Sequence, residues 1–167
     1  MKIGVRLALN FGALALMMVI LIVIAVTSIS NLKDISHDLA SDKYPKTVWA
    51  NNIVDAINDA ARALRNLVIV RDNPQFKGEI AANLDRIKSA GQDVGKNIDS
   101  LKSRITTDKG VMLLNELAKT RQDYYDARIP ILEMLEEKRF DEASVALLED
   151  LRKPQNDYIN ATRAIIA

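Results

Sequence analysis

Residues 7–26 read LALNFGALALMMVILIVIAV, an uncharged run in which Asn10 is the one strongly polar side chain. At a rise of about 1.5 Å per residue, such a run spans the roughly 30 Å hydrocarbon layer as a helix. Lys2 and Arg6 precede it, and no comparable run follows. The expectation is a transmembrane helix over residues 7–30 and a short cytoplasmic start over residues 1–6, oriented by the positive-inside tendency. Residues 31–167 then form one domain on the far side, which is the periplasm if the membrane is a bacterial inner membrane. A cleaved signal peptide is the alternative. Its apolar core would be only about 7–15 residues long and would end at a small-x-small site. The run here is longer, and Ala25, Thr27 and Ser28 make a poor site of that kind.

Composition narrows the chemistry. A net charge of +1 over 167 residues gives no field that would gather nucleic acid. With no cysteine there are no disulfides, thiolate chemistry or cysteine metal sites. His37 is the single histidine, so a zinc site is not expected. No serine or cysteine is partnered by a histidine in a nucleophile pattern, and no Gly-rich phosphate loop or HExxH occurs. Glu136-Glu137, Glu149-Asp150 and Glu116 read as solvated helix faces. No enzyme, metal or cofactor is expected. Six glycines, four prolines and few β-branched runs argue against a sheet.

The fold class read from the rest is all-α: an anchor helix running on into an antiparallel up-down four-helix bundle. Helix 1 continues out of the membrane, with a bend at Pro45, and its periodic part runs from Val48 to about Arg71. Asp72-Asn73-Pro74 stops it and restarts the chain, with Asn73 as N-cap and Pro74 in the first helical position. Helix 2 runs to about Arg104. Thr106-Thr107-Asp108 supplies the next cap, and helix 3 runs to about Lys138. Phe140-Asp141 is a short connection with Asp141 as cap, and helix 4 continues to Ala167. Pro130 and Pro154 fall inside helices 3 and 4, each of which is kinked or split there. Connections this short make neighbouring helices antiparallel.

Positions three and four apart share a helix face. Helix 1 shows Ile53, Ile57, Ala60, Leu64 and Val68. Helix 2 shows Ile80, Leu84, Ile87, Gly91, Val94, Ile98 and Leu101. Helix 4 shows Val145, Leu148, Leu151, Gln155, Ile159, Thr162 and Ile166. Helix 3 differs, because its apolar face begins with Leu114, Leu117 and Ala118, resumes at Leu132 and Leu135, and carries Arg121, Tyr124, Tyr125 and Arg128 between them. A buried guanidinium without a partner costs several kcal/mol, on the order of a lost buried ion pair. Either acids on other helices neutralise the two arginines, or they snorkel outward, or their partner is a bound anion. Guanidinium groups take carboxylates in bidentate geometry, and tyrosine hydroxyls add neutral bonds. Asp123 and Asp126 lie off the stripe. Helix register brings Gly91, Gln155 and Tyr158 to the same height, and a glycine on a core face leaves room. A second candidate is the outer face of helix 1, where Arg62 and Arg65 lie beside Val54, Ala61 and Ile69. Two copies of that face meeting across a two-fold axis would make an isologous homodimer. A solvated basic edge is the plainer reading of the same residues.

Several segments resemble the four-helix-bundle sensor module of bacterial methyl-accepting chemotaxis proteins. They are the basic start MKIGVRL, the single membrane helix, YPKTVW at the base of helix 1, DAARALRNLVI near its tip, and LRKPQNDYINA in helix 4. Sensor histidine kinases carry similar modules. The resemblance implies a periplasmic ligand-binding domain that works as a dimer and moves its last helix on binding. It also implies that this chain is the N-terminal part of a longer receptor, with its fourth helix cut short and its cytoplasmic signalling partners reached through the part that follows. In relatives, arginines on helix 1 bind amino-acid or dicarboxylate ligands at the dimer interface, and Arg62, Arg65 and Arg71 are the corresponding positions. The preferred expectation is a chemoreceptor sensor for a small anion, an organic di- or tricarboxylate before an amino acid. Arg121 and Arg128 clamp it, Tyr124 and Tyr125 orient it, and Gln155 and Tyr158 close the site beside Gly91. The alternatives are the sensor domain of a membrane histidine kinase, or a membrane-anchored structural bundle with no small ligand.

Overall fold

A computed structural model of the chain describes residues 3–71 and 73–166, so the stop expected at Asp72 lies outside the described residues. The chain divides into two compact units, Met1–Tyr44 and Pro45–Ala167.

The first unit holds helix α1, Ile3–Asp38, and a π-helical turn, Leu39–Lys43. Among the described residues one helix is long and apolar enough to cross a membrane, and it includes this segment. Leu14, Met17, Ile20 and Val23 are each half exposed or more, with no protein core to receive them. The Thr27 hydroxyl donates back to the carbonyls of Val23 and Ile24 at 2.9 and 3.0 Å, so it needs no water. In the π turn the Tyr44 N–H reaches the Leu39 carbonyl. Pro45 follows directly. A proline lacks the N–H and crowds the carbonyl four residues back, and a widened turn just before it relieves that crowding.

The second unit is the bundle: α2 Tyr44–Val70, α3 Lys77–Arg104, α4 Asp108–Glu136, α5 Phe140–Glu149 and α6 Arg152–Ala164. Asn73 caps the 3-10 turn Pro74–Phe76, its side chain accepting from the Gln75 N–H at 3.0 Å. Thr107 caps α4 by accepting from the Gly110 N–H at 3.2 Å. A Cβ on Gly110 would collide with the Ile105 side chain, so this tight cap requires glycine. Antiparallel order shows in paired asparagines, Asn52 with Asn97 and Asn66 with Asn83, both at 3.3 Å. Helices α2, α3, α4 and the broken fourth helix α5–α6 make the four-helix bundle.

Several sequence expectations change. Asp141 does not cap the last helix. Lys138 adopts the left-handed conformation (φ 63°) and its neighbour Arg139 donates to the Met134 carbonyl at 2.8 Å, which closes α4 early. The next helix therefore starts at Phe140 with Arg139 as N-cap, and Asp141 lies in its first turn. The last helix is split at Asp150–Leu151, which places Pro154 in the first turn of α6, where no intrahelical N–H partner is needed. That break re-registers the fourth helix. Ala143 and Ala146 are buried in place of Val145 and Leu148, which are exposed. On α3 the buried stripe is Asn83, Ile87, Ala90, Val94, Ile98 and Leu101, leaving Leu84 exposed. On α2, Val54 and Ala61 belong to the core rather than to an outer face, while Ile69 stays exposed. Ala118 of α4 is also exposed, and α4 runs unbroken across Pro130.

Candidate functional site

Two turns of α4 carry Arg121, Tyr124, Tyr125 and Arg128. Residues four apart lie one above the other on a helix, so each arginine lies over a tyrosine one turn away. The Arg121 guanidinium carbon lies 5.4 Å from the Tyr125 ring centroid, and that of Arg128 lies 4.5 Å from Tyr125 and 5.5 Å from Tyr124. Tyr124 faces inward, with its ring 5.9 Å from that of Tyr158 on α6 and 6.0 Å from that of Tyr125. Both Tyr124 and Tyr158 are buried, at 2 % and 1 % exposure. The two arginines are half-buried.

No acid answers these cations. Asp123 pairs with Lys119 at 3.9 Å, and Asp126 accepts from Gln122 at 2.7 Å. Among the described residues neither Arg121 nor Arg128 forms an ion pair. Cation–π contact replaces it, at about 0.5–2 kcal/mol per contact. A guanidinium that lies over a ring and has no carboxylate partner keeps donors for a bidentate acceptor. Among the described residues, the buried side-chain polar atoms without a partner are Arg128 Nε, Tyr124 Oη and Tyr158 Oη. All three belong to this cluster.

Burial pushes the Tyr124 phenol above its ordinary value, opposed by the Arg128 guanidinium beside it and, more weakly, by the Arg65 charge. Burial pushes Tyr158 up further, opposed by Arg121 and Arg128. Both phenols therefore stay protonated at neutral pH and present O–H donors.

The remaining expected residues divide. Gly91 on α3 lies at the cluster, and a Cβ there would sit 3.5 Å from the Tyr125 hydroxyl, so the room it leaves is taken up by that ring. Gln155 is half-buried and turns to α2, its Nε2 lying 3.5 Å from Asn58 Oδ1. Arg62 is exposed and pairs with Asp59. Arg71 pairs with Asp141 at 2.9 Å and lies over the Phe140 ring at 5.9 Å. Arg65 donates from Nε to the Ala61 carbonyl at 3.1 Å, and its charge reaches Tyr124 from α2. The three arginines therefore differ: Arg62 and Arg71 are paired with acids, while Arg65, exposed on α2 and without an acid partner among the described residues, adds its charge to the field at Tyr124. Sequence reasoning missed the surface beside the cluster: a cavity of about 290 Å³ between α3 and α4, shared by Arg121 and Tyr125 with Lys102 and Gln122. A lysine in the last turn of a helix reads simply as a complement to the helix dipole, which hid it.

A family model described as a four helix bundle sensory module for signal transduction matches residues 1–167. No curated protein and no solved structure matches the chain.

Proposed function

The chain belongs to the four helix bundle sensory modules of signal transduction, and from that premise we propose that its bundle is a chemoreceptor sensor for a small organic di- or tricarboxylate. The observation that carries the reading is the set of unpartnered buried donors, Arg128 Nε and the hydroxyls of Tyr124 and Tyr158, gathered beside two arginines with no acid. Each unsatisfied buried donor costs about 1–3 kcal/mol. A carboxylate is the acceptor that answers all of them, since its oxygens accept from a guanidinium edge and from phenolic O–H groups together. Arg121 and Arg128 clamp the ligand, Tyr124 and Tyr125 orient it, and Tyr158 closes on it from α6. Arg65 adds a third positive charge from α2.

Signalling follows from where these groups sit. Tyr124 and Arg128 ride on α4, and Tyr158 rides on α6, the separate final segment of the broken fourth helix. A ligand bonded to both elements favours one relative placement of them over another. A differential affinity of this kind shifts a two-state equilibrium by about 1–3 kcal/mol. The sensor sits outside the cytoplasmic face of a bacterial inner membrane, oriented by Lys2 and Arg6 ahead of the apolar run, and works as a homodimer.

Calorimetric titration of the full chain in lipid nanodiscs with succinate and citrate tests this. The expected result is saturable binding of at least one anion, weakened about 10–100-fold in Arg121→Gln, the loss of one charge-assisted pair. Absence of binding by both anions, or unchanged affinity in Arg121→Gln, overturns the assignment.

A further inference from the structure

Cavities elsewhere on the described surface carry their own acids. One of about 430 Å³ between α2 and α3 is faced by Asp55, Asp59 and Asp93, and one of about 200 Å³ at the tip has Glu136 beside Arg71 and Lys138. The α3–α4 groove of about 290 Å³ is different in kind. Lys102 and Arg121 line it, no carboxylate does, and Ile98 and Leu114 give it an apolar wall. Lys102 has no ion pair among the described residues. Two unmatched cations facing one small cavity repel each other, and an anion between them reverses the sign of that interaction. The volume is at the lower end for small-ligand sites, about 300 Å³.

This groove adjoins the buried cluster. Arg121 and Tyr125 belong to both: Tyr125 lines the groove together with Lys102, and the Arg128 guanidinium carbon lies 4.5 Å from its ring centroid. Tyr125 makes no hydrogen bond among the described residues, and its hydroxyl rests against Gly91, where there is no side chain to hold it. The described contacts of Tyr125 are with rings, guanidinium groups and Gly91, so no hydrogen bond fixes its rotamer.

We propose that the groove is the outer half of the anion site, with Lys102 as its specificity-determining cation and Tyr125 as the movable partition. Resting on the carboxylate reading above, this assigns the ligand a shape: an extended polycarboxylate, one carboxylate between Lys102 and Arg121 and another at Arg128, its hydrocarbon middle against Ile98 and Leu114. A compact monoanion engages one half alone and binds more weakly.

Citrate titrations of the full chain in nanodiscs test the assignment, comparing wild type with Lys102→Gln, Arg128→Gln and Lys88→Gln. Lys88 is an exposed lysine of α3 outside the groove, so its variant controls for bulk charge. The expected result is an affinity about tenfold lower in Lys102→Gln, little change in Lys88→Gln, and the same unfolding midpoint in wild type and both lysine variants without citrate. Lys102→Gln binding like wild type while Arg128→Gln fails to bind overturns the groove and leaves the buried cluster standing. Equal losses in Lys102→Gln and Lys88→Gln also overturn it, since only net charge would then matter. No citrate binding by wild type while succinate binds overturns the groove alone; binding of neither anion, or a silent Arg128→Gln, overturns both readings together.

Discussion

At the α2–α3 seam Asn83 is 2 % exposed and engaged through both its amide atoms: its Nδ2 donates to the Glu79 carbonyl at 2.7 Å and its Oδ1 accepts from Asn66 at 3.3 Å. At the α4–α6 contact Tyr124 and Tyr158 are just as buried, yet neither hydroxyl has a partner, nor does Arg128 Nε. Thr120 and Thr162, on those same two helices, do satisfy their hydroxyls on backbone carbonyls at 3.0 and 2.9 Å. The bundle can therefore pair a buried polar group on either side of its core. Among the described residues the unmatched buried donors all fall at that one cluster, and the carboxylate reading proposed above accounts for the contrast: polarity at the seam fixes register, while polarity at the cluster is kept for a ligand.

Mutations separate the two regions by sign. The largest expected effect is Arg128→Leu, which lowers citrate affinity about 100-fold without lowering the unfolding midpoint, because removing an unpaired, half-buried charge relieves a desolvation cost. A large drop in midpoint would show that Arg128 is a structural member like Asn83. Next is Asn83→Ala, expected to destabilise the bundle by about 2 kcal/mol by breaking a satisfied buried pair. In denaturant melts, no loss there would remove the contrast. Gly91→Ala is expected to stabilise by up to about 1 kcal/mol, since α3 gains helix propensity and the new Cβ meets Tyr125 at ordinary contact distance. A destabilised protein would mean that Tyr125 cannot give way.

The smallest effect is alkaline. A phenol whose folded pKa is raised adds stability that is whole below the unfolded value near 10 and is lost as pH rises through the higher folded value. Both Tyr124 and Tyr158 are raised by burial. Stability should therefore fall above about pH 10, and the fall should be shallower in Tyr158→Phe. Identical pH profiles would mean that Tyr158 is not in the dry environment described.

Local chemistry was readable in advance wherever it decided the structure. The apolar run, the caps at Asn73 and Thr107 and the polar interruption at Arg121–Arg128 all depend on neighbours within a turn or two. The misread elements depend on distant partners. Asn83 replaces Leu84 in the core only because Asn66 on α2 meets it, and no periodicity of α3 contains that information. Asp141 fits a cap by type, but the left-handed Lys138 moves the helix start ahead of it. Val145 and Leu148 fall on the apolar stripe of an unbroken helix, and the break at Asp150–Leu151 turns them outward. Lys102 of α3 shares a groove with Arg121 and Tyr125, and the charge of Arg65 on α2 is felt at Tyr124; both relations belong to the packing of three helices rather than to any one of them.

The most direct test watches Arg128 itself. In the full chain with ¹⁵N-labelled arginine side chains, the Nε–H resonance of Arg128 should shift downfield and exchange more slowly as citrate is added, saturating together with the calorimetric isotherm. An Nε–H signal already protected without citrate, or one that stays fixed while citrate binds, would contradict the claim that this buried donor is reserved for an anion.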